Sequence, residues 1–280
     1  MIPKPNLFYF FFISMLFCAL ESRSDSNIYY NLIDSADNYI KKELWQNAES
    51  TLISVLREEP ANFNNAMVFS NLGIVRTNLG RYDEALEAFG LGLNISPGST
   101  VLLNNRAKTL MITEDFLGAL EDLNQSLKID SIQEWPLSMK GMILINSNNL
   151  NDAEVTLKSL IRNFPENARA YFGLGLIEEK NGNFKEAVKY YEKSLSIEED
   201  EDIYPFLILL MVQDNLYSEA AEIIRKCIGN YPENPIFYIL RGYLSRLNYR
   251  YDEAEADRQL AISKGADPQL VENYLPKGRR

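Results

Sequence analysis

One alanine recurs through this chain, at Ala48, Ala85, Ala119, Ala153, Ala187, Ala220 and Ala254, with spacings of 37, 34, 34, 34, 33 and 34 residues. Self-similarity at such a period means small units that cannot bury their own apolar faces and must stack on their neighbours. Three residues before each alanine stands a large apolar residue: Trp45, Tyr82, Phe116, Leu150, Phe184, Tyr217 and Tyr251. Twelve residues before it the column reads Ala36, Gly73, Ala107, Gly141, Gly175, Ile208 and Gly242, small in every copy but one. Two antiparallel helices approach closely where facing residues lack bulk, so the two small columns predict a tight hairpin with small residues on both partners at the crossing.

The punctuation agrees with helix, turn, helix. Asn78-Leu79-Gly80 and Asn181-Gly182 are signals for the ends of first helices. Asp83-Glu84, Asp252-Glu253 and Glu219 place negative charge at the starts of second helices. Pro60, Pro97, Pro165 and Pro232 end four second helices, because proline lacks the N–H and its ring clashes with the preceding turn. Pro205 fits the first turn of a helix capped by Asp202. Residues 267–275 read as a short helix closing the last unit.

With small, small, aromatic and proline columns in this order, residues 29–266 or so resemble the tetratricopeptide repeat family. Ser131, Glu199 and Ala266 stand where proline is expected, Ile208 fills a small slot, and the first junction has three extra residues around Ala61–Asn65. The resemblance implies an all-α, right-handed superhelical solenoid of about seven helix-turn-helix repeats with a continuous groove. The repeats fall near 29–65, 66–99, 100–133, 134–167, 168–200, 201–234 and 235–268, in a repeat domain over 25–280 with a C-terminal capping helix.

In the family frame, residues two, five, nine and twelve places into each repeat point into the groove. That frame selects Met67, Ile74, Val101, Asn104, Lys108, Met111, Trp135, Met142, Phe172, Leu176, Leu209, Ile239 and Tyr243. From these, Asn104, Lys108, Trp135, Met142, Phe172, Leu176 and Tyr243 are the candidate partner-binding residues. An apolar stripe with flexible Met suits an extended peptide or an amphipathic helix; packing between neighbouring first helices accounts for the same positions equally well. The clamp of Lys, Asn and Arg with which some family members hold a carboxylate is missing: Asn71 and Asn105 fill its middle slot, but the preceding slots read Ile33 with Asp37, or Ser70 with Ile74.

Composition narrows the chemistry further. A formal charge of −11 argues against a nucleic-acid partner. Histidine is absent, which removes the usual general base near neutral pH and the commonest metal ligand. No catalytic residue, metal site or cofactor is expected. Gly90-Leu91-Gly92 and Gly173-Leu174-Gly175 lack the third glycine and the strand of a dinucleotide loop. The acidic run Glu198–Asp202 reads as capping and solvation before a helix. The sequons at Asn94 and Asn124 lie within second helices and are read as coincidence.

Cys18 and Cys227 sit in unrelated contexts and predict no disulfide, with Cys227 a small buried hydrophobe. Lys4 followed by the apolar run Leu7–Leu20 and the polar Glu21–Ser26 reads as a secretory signal over residues 1–24, the run being shorter than a membrane span. Cleavage near Ser22 or Ser24 competes with lipidation at Cys18, where Met15-Leu16-Phe17-Cys18 resembles a bacterial lipobox except that Phe17 replaces a small residue. The expectation is therefore an exported, non-enzymatic adaptor, periplasmic or anchored at the cell envelope. It would bind a protein or peptide and touch membrane only through its N-terminal segment. Alternatives are an end-to-end self-associating homo-oligomeric array and an accessory subunit of an envelope enzyme complex.

Overall fold

The structure is a computed structural model and describes residues 28–277. The expectations for residues 1–24, including Cys18, lie outside the described residues. Among the described residues every regular element is a helix: α1 (28–41), α2 (Trp45–Glu58), α3 (Asn65–Asn78), α4 (Tyr82–Ile95), α5 (Thr100–Ile112), α6 (Phe116–Ile129), α7 (Glu134–Asn146), α8 (Leu150–Asn163), α9 (Ala168–Lys180), α10 (Phe184–Ile197), α11 (Tyr204–Gln213), α12 (Tyr217–Asn230), α13 (Pro235–Leu247), α14 (Tyr251–Ser263) and α15 (Pro268–Tyr274). The architecture is an all-α repeat solenoid, and it divides into two compact units, unit 1 running to Pro136 and unit 2 from Leu137.

Each recurring alanine is buried, from Ala48 to Ala254, yet the hairpins close differently from a contact of small on small. A Cβ added at Gly73 would fall 2.5 Å from the ring of Phe89, and one at Gly141 or Gly175 would collide with Leu157 or Tyr191. In these three hairpins the small residue of the first helix thus seats a large side chain one turn beyond the alanine, not the alanine itself. That large column runs Leu52, Phe89, Leu123, Leu157, Tyr191 and Ile224, all buried, and each such side chain removed from water contributes about 1.5–3 kcal/mol. Ile208 is accommodated in its small slot beside Ile224 in the same buried cluster.

Every turn inside a hairpin is built alike. Glu43, Gly80, Glu114, Asn148, Gly182, Asn215 and Tyr249, each five residues before its alanine, have φ between 56° and 79°. The next residue donates its N–H five residues back, as from Leu44 to Tyr39 (2.9 Å), Arg81 to Arg76 (2.9 Å), Asn183 to Glu178 (2.8 Å) and Arg250 to Ser245 (2.8 Å). This closes the orphan carbonyls at the helix end. Only two of the seven positions are glycine, so in five copies the bonds override the preference of a side chain for negative φ.

In unit 1 the extra residues of the first junction are tied down by Asn65. Its amide donates to Glu59 O (2.7 Å) and accepts from Tyr29 Oη (2.9 Å). In unit 2, α11 starts at Tyr204 with Ile203, not Asp202, as N-cap, and Pro205 lies in the first turn. Asp202 instead donates its N–H to Asp200 Oδ1 (3.0 Å), and the acidic run is spent on bonds across to α12 and α13: Glu199 meets Lys226 (3.0 Å) and Glu201 accepts from Asn234 (2.9 Å). The closing helix α15 is capped by Asp267 and covers α13 and α14 through Val271 and Leu275.

Candidate functional site

Unit 1 contains an open groove of about 830 Å³, within the range of ligand sites. First helices supply most of it: Tyr30 and Ile33 from α1, Met67, Asn71 and Ile74 from α3, Val101 and Asn105 from α5. The repeat spacing makes this a ladder, because Met67 and Val101, like Asn71 and Asn105, stand 34 residues apart and occupy equivalent helix positions. Phe63 from the first junction and Ile95 from the end of α4 complete the rim. No charged residue lines the groove. Phe63, Met67 and Val101 are 78%, 69% and 61% exposed. The amides are held by neighbouring side chains, with Asn71 Nδ2 donating to Asp37 (3.2 Å) and Asn105 Nδ2 to Ser70 Oγ (3.3 Å). An apolar trough with side-chain amides along it can cover apolar side chains while hydrogen-bonding a backbone.

Met67, Ile74 and Val101 were selected by the family frame and do line this groove. Phe63, Tyr30 and Ile95 were not, although an aromatic in an otherwise polar insertion was a signal for Phe63. The other candidates fall elsewhere. Asn104, Lys108 and Trp135 form a patch of their own in unit 1, with Asn104 Nδ2 donating to Gln133 (2.9 Å) and the Lys108 ammonium 4.8 Å from the Trp135 ring centre.

In unit 2, packing takes up the rest. Phe172 rests against Tyr191 and Phe206, with ring centres 5.7 and 5.3 Å away, and Leu176 joins the same apolar cluster. Met142 packs near the backbone of Gly173, its Sδ 3.5 Å from where a Cβ would stand. Tyr243 meets Tyr274 of α15 edge to face at 5.4 Å. Ile239 was expected on the open face; it is 1% exposed, because α13 is covered by α15 as well as by its hairpin partner.

The shifted ionisable groups are structural. Burial first, and then a bond to Glu179 (2.5 Å), hold the Tyr191 phenol far above its ordinary range. Burial pushes the Cys227 thiol up to about 12. Burial would raise the Glu49 carboxyl, but bonds from Arg81 and Arg76 outweigh it and hold the group below its usual value. Among the described residues no group of three or more Cys, Asp or Glu side chains could hold a metal ion, and no helix is long and apolar enough to cross a membrane.

Residues 138–205 match the tetratricopeptide repeat family model. A tetratricopeptide repeat protein 36 homologue of Drosophila pseudoobscura pseudoobscura is 44% identical over 62 residues, 22% of this chain and 33% of that protein. Superkiller protein 3 of Schizosaccharomyces pombe is 22% identical over 203 residues, 69% of this chain and 14% of that one. The chain thus spans a third or less of these curated relatives. Among solved structures, a tetratricopeptide repeat protein from Parabacteroides merdae superposes with a TM-score of 0.71 at 24% identity, covering 89% of this chain and 98% of that one. PilF of Pseudomonas aeruginosa gives 0.65 at 18% identity, covering 77% and 98%. With the seven in-register hairpins described above, these matches give the chain the fold of tetratricopeptide repeat proteins and a match to their family model over residues 138–205.

Proposed function

We propose that this protein is a non-enzymatic adaptor that holds an extended peptide or an amphipathic helix of a partner protein in the unit 1 groove. A protein–protein interaction role is what the tetratricopeptide scaffold supports. The observation that carries it is the exposure of Phe63, Met67 and Val101 along one uncharged trough. Apolar side chains gathered in this way are a mark of a surface that another molecule covers. A photo-crosslinking side chain placed at Val101 should capture the partner, whereas one at Leu117 of α6, itself 78% exposed, should not. Equal capture from both positions would overturn the assignment.

We further propose export to the cell envelope, either as a cleaved periplasmic protein or as one anchored through an acylated Cys18. The support is the single positive charge and apolar run that open the sequence. Intact mass of the protein from its native cell separates the outcomes: a chain starting near Ser24, a lipid-bearing chain starting at Cys18, or a full-length chain in the cytoplasm, which would refute export.

A further inference from the structure

Unit 2 carries a second concavity, of about 230 Å³, walled by α12, α13 and the turn that opens α14. Three arginines line it, Arg225, Arg241 and Arg250, in a chain whose formal charge is −11. Like charges crowd together only against compensation. Two of the three have it: Arg241 grips Asp257 through Nε and Nη2 at 2.6–3.1 Å, and Arg250 Nη1 lies 3.1 Å from Glu253. Arg225 has no ion-pair partner among the described residues. Three cations against two carboxylates leave one positive charge over.

The rest of the lining is aliphatic, with Ile224 and Leu244 buried beneath and Ala221 and Ile228 half-buried beside them. Ser245 also faces this space at 3% exposure, and its hydroxyl lies 3.5 Å from Glu253 Oε2, the outer limit of a hydrogen bond. A buried hydroxyl so weakly satisfied is open to a better partner.

The geometry points to a socket for a carboxylate carried on an aliphatic segment of a partner chain. The carboxylate pairs with Arg225 and with Nη1 of Arg241, which takes no part in the Asp257 pair, and the aliphatic carbons lie on Ile228 and Ala221. The planar guanidinium fork matches a carboxylate, and a single surplus charge matches a monoanion rather than a phosphate dianion. The socket is built from α12, α13 and the turn that opens α14, not from the groove of unit 1, so either assignment can fail alone.

The test is methyl NMR of the full chain, reading Ile224, Ile228 and Leu244. The titrants are acetyl-Leu-Glu-amide, acetyl-Leu-Leu with its terminal carboxylate free, the neutral acetyl-Leu-Gln-amide, and inorganic phosphate. Saturable shifts from either carboxylate peptide, with none from the glutamine peptide, support the socket, and the responding peptide tells an acidic side chain from a chain terminus. Arg225→Gln should weaken that binding about tenfold with unchanged melting, since Arg225 is exposed and unpaired. The proposal falls if the glutamine peptide or phosphate binds as tightly as the carboxylates, or if Arg225→Gln binds like the parent.

Discussion

Arg106 of α5 clamps Asp122 of α6 with two bonds, Nε to Oδ2 at 2.7 Å and Nη2 to Oδ1 at 2.6 Å, and Arg241 holds Asp257 in the same two columns of the seventh hairpin. Both aspartates are buried and both arginines reach solvent. Removing the buried carboxylate loses two charge-assisted bonds, while Arg106 can still turn to solvent, so Asp122→Ala should lower stability by about 1.5–3 kcal/mol. The double change Arg106→Met with Asp122→Leu should recover most of it. Urea denaturation of the parent and the two variants reads both effects.

Glycine is required at two kinds of position, and alanine separates them. At Gly175 the added methyl would strike the Tyr191 ring, and overpacking of this kind costs about 1–3 kcal/mol. Ala187→Leu in the same hairpin should cost a similar amount, because Ala187 is fully buried. Thermal unfolding that leaves both variants at the parent midpoint would contradict the packing described.

At Gly182 nothing lies within 4 Å of an added Cβ, but φ is +79°. Gly182→Ala should therefore lose about 1 kcal/mol through backbone strain alone. The converse holds at Glu114, whose φ is 61°, so Glu114→Gly should be neutral or stabilising. Comparing the two melting midpoints tests the shared left-handed turn.

The Cys227 thiol, raised by burial from about 9 to about 12, should be nearly inert to alkylation at pH 8 in the folded chain and react at an ordinary rate in denaturant. The unfolded chain loses this proton at lower pH than the folded one, so the group favours folding below about pH 9 and that contribution fades as pH rises toward 12. Rapid alkylation of the native protein would refute the burial.

Trp135 and Phe172 should behave differently on truncation. Phe172→Ala breaks two aromatic contacts against the core of unit 2 and should cost about 2 kcal/mol. Trp135→Ala loses a cation–π contact with Lys108 that is worth about 0.5–1 kcal/mol at a solvent-exposed site. Trp135→Ala should therefore leave the fold close to the parent's stability while Phe172→Ala does not, and chemical denaturation of both variants decides this.

The hairpins and their order were legible in the sequence because each depends on a local rule repeated at one period: Gly80 and Gly182 close helices, Pro60 and Pro165 forbid their continuation, and Asp267 with Pro268 starts the cap, whereas the left-handed turns at Glu43, Glu114, Asn148, Asn215 and Tyr249 carry no such signal. The seating of Gly73 under Phe89 was not legible. Which large residue fills a small one's space depends on the rotation of one helix against another, and the period is silent on that rotation. The groove shows the same limit. Met67 and Val101 followed from their place in the repeat, but Phe63 stands in an insertion outside the repeat frame, and Ile239 was lost to the surface once α15 lay over α13. Sequence alone determined that the chain is a stack of helical hairpins, since no unit of this size buries its own apolar face. Tertiary structure alone decided which apolar residues remain open to a partner, because exposure belongs to what packs above a residue and not to the residue itself.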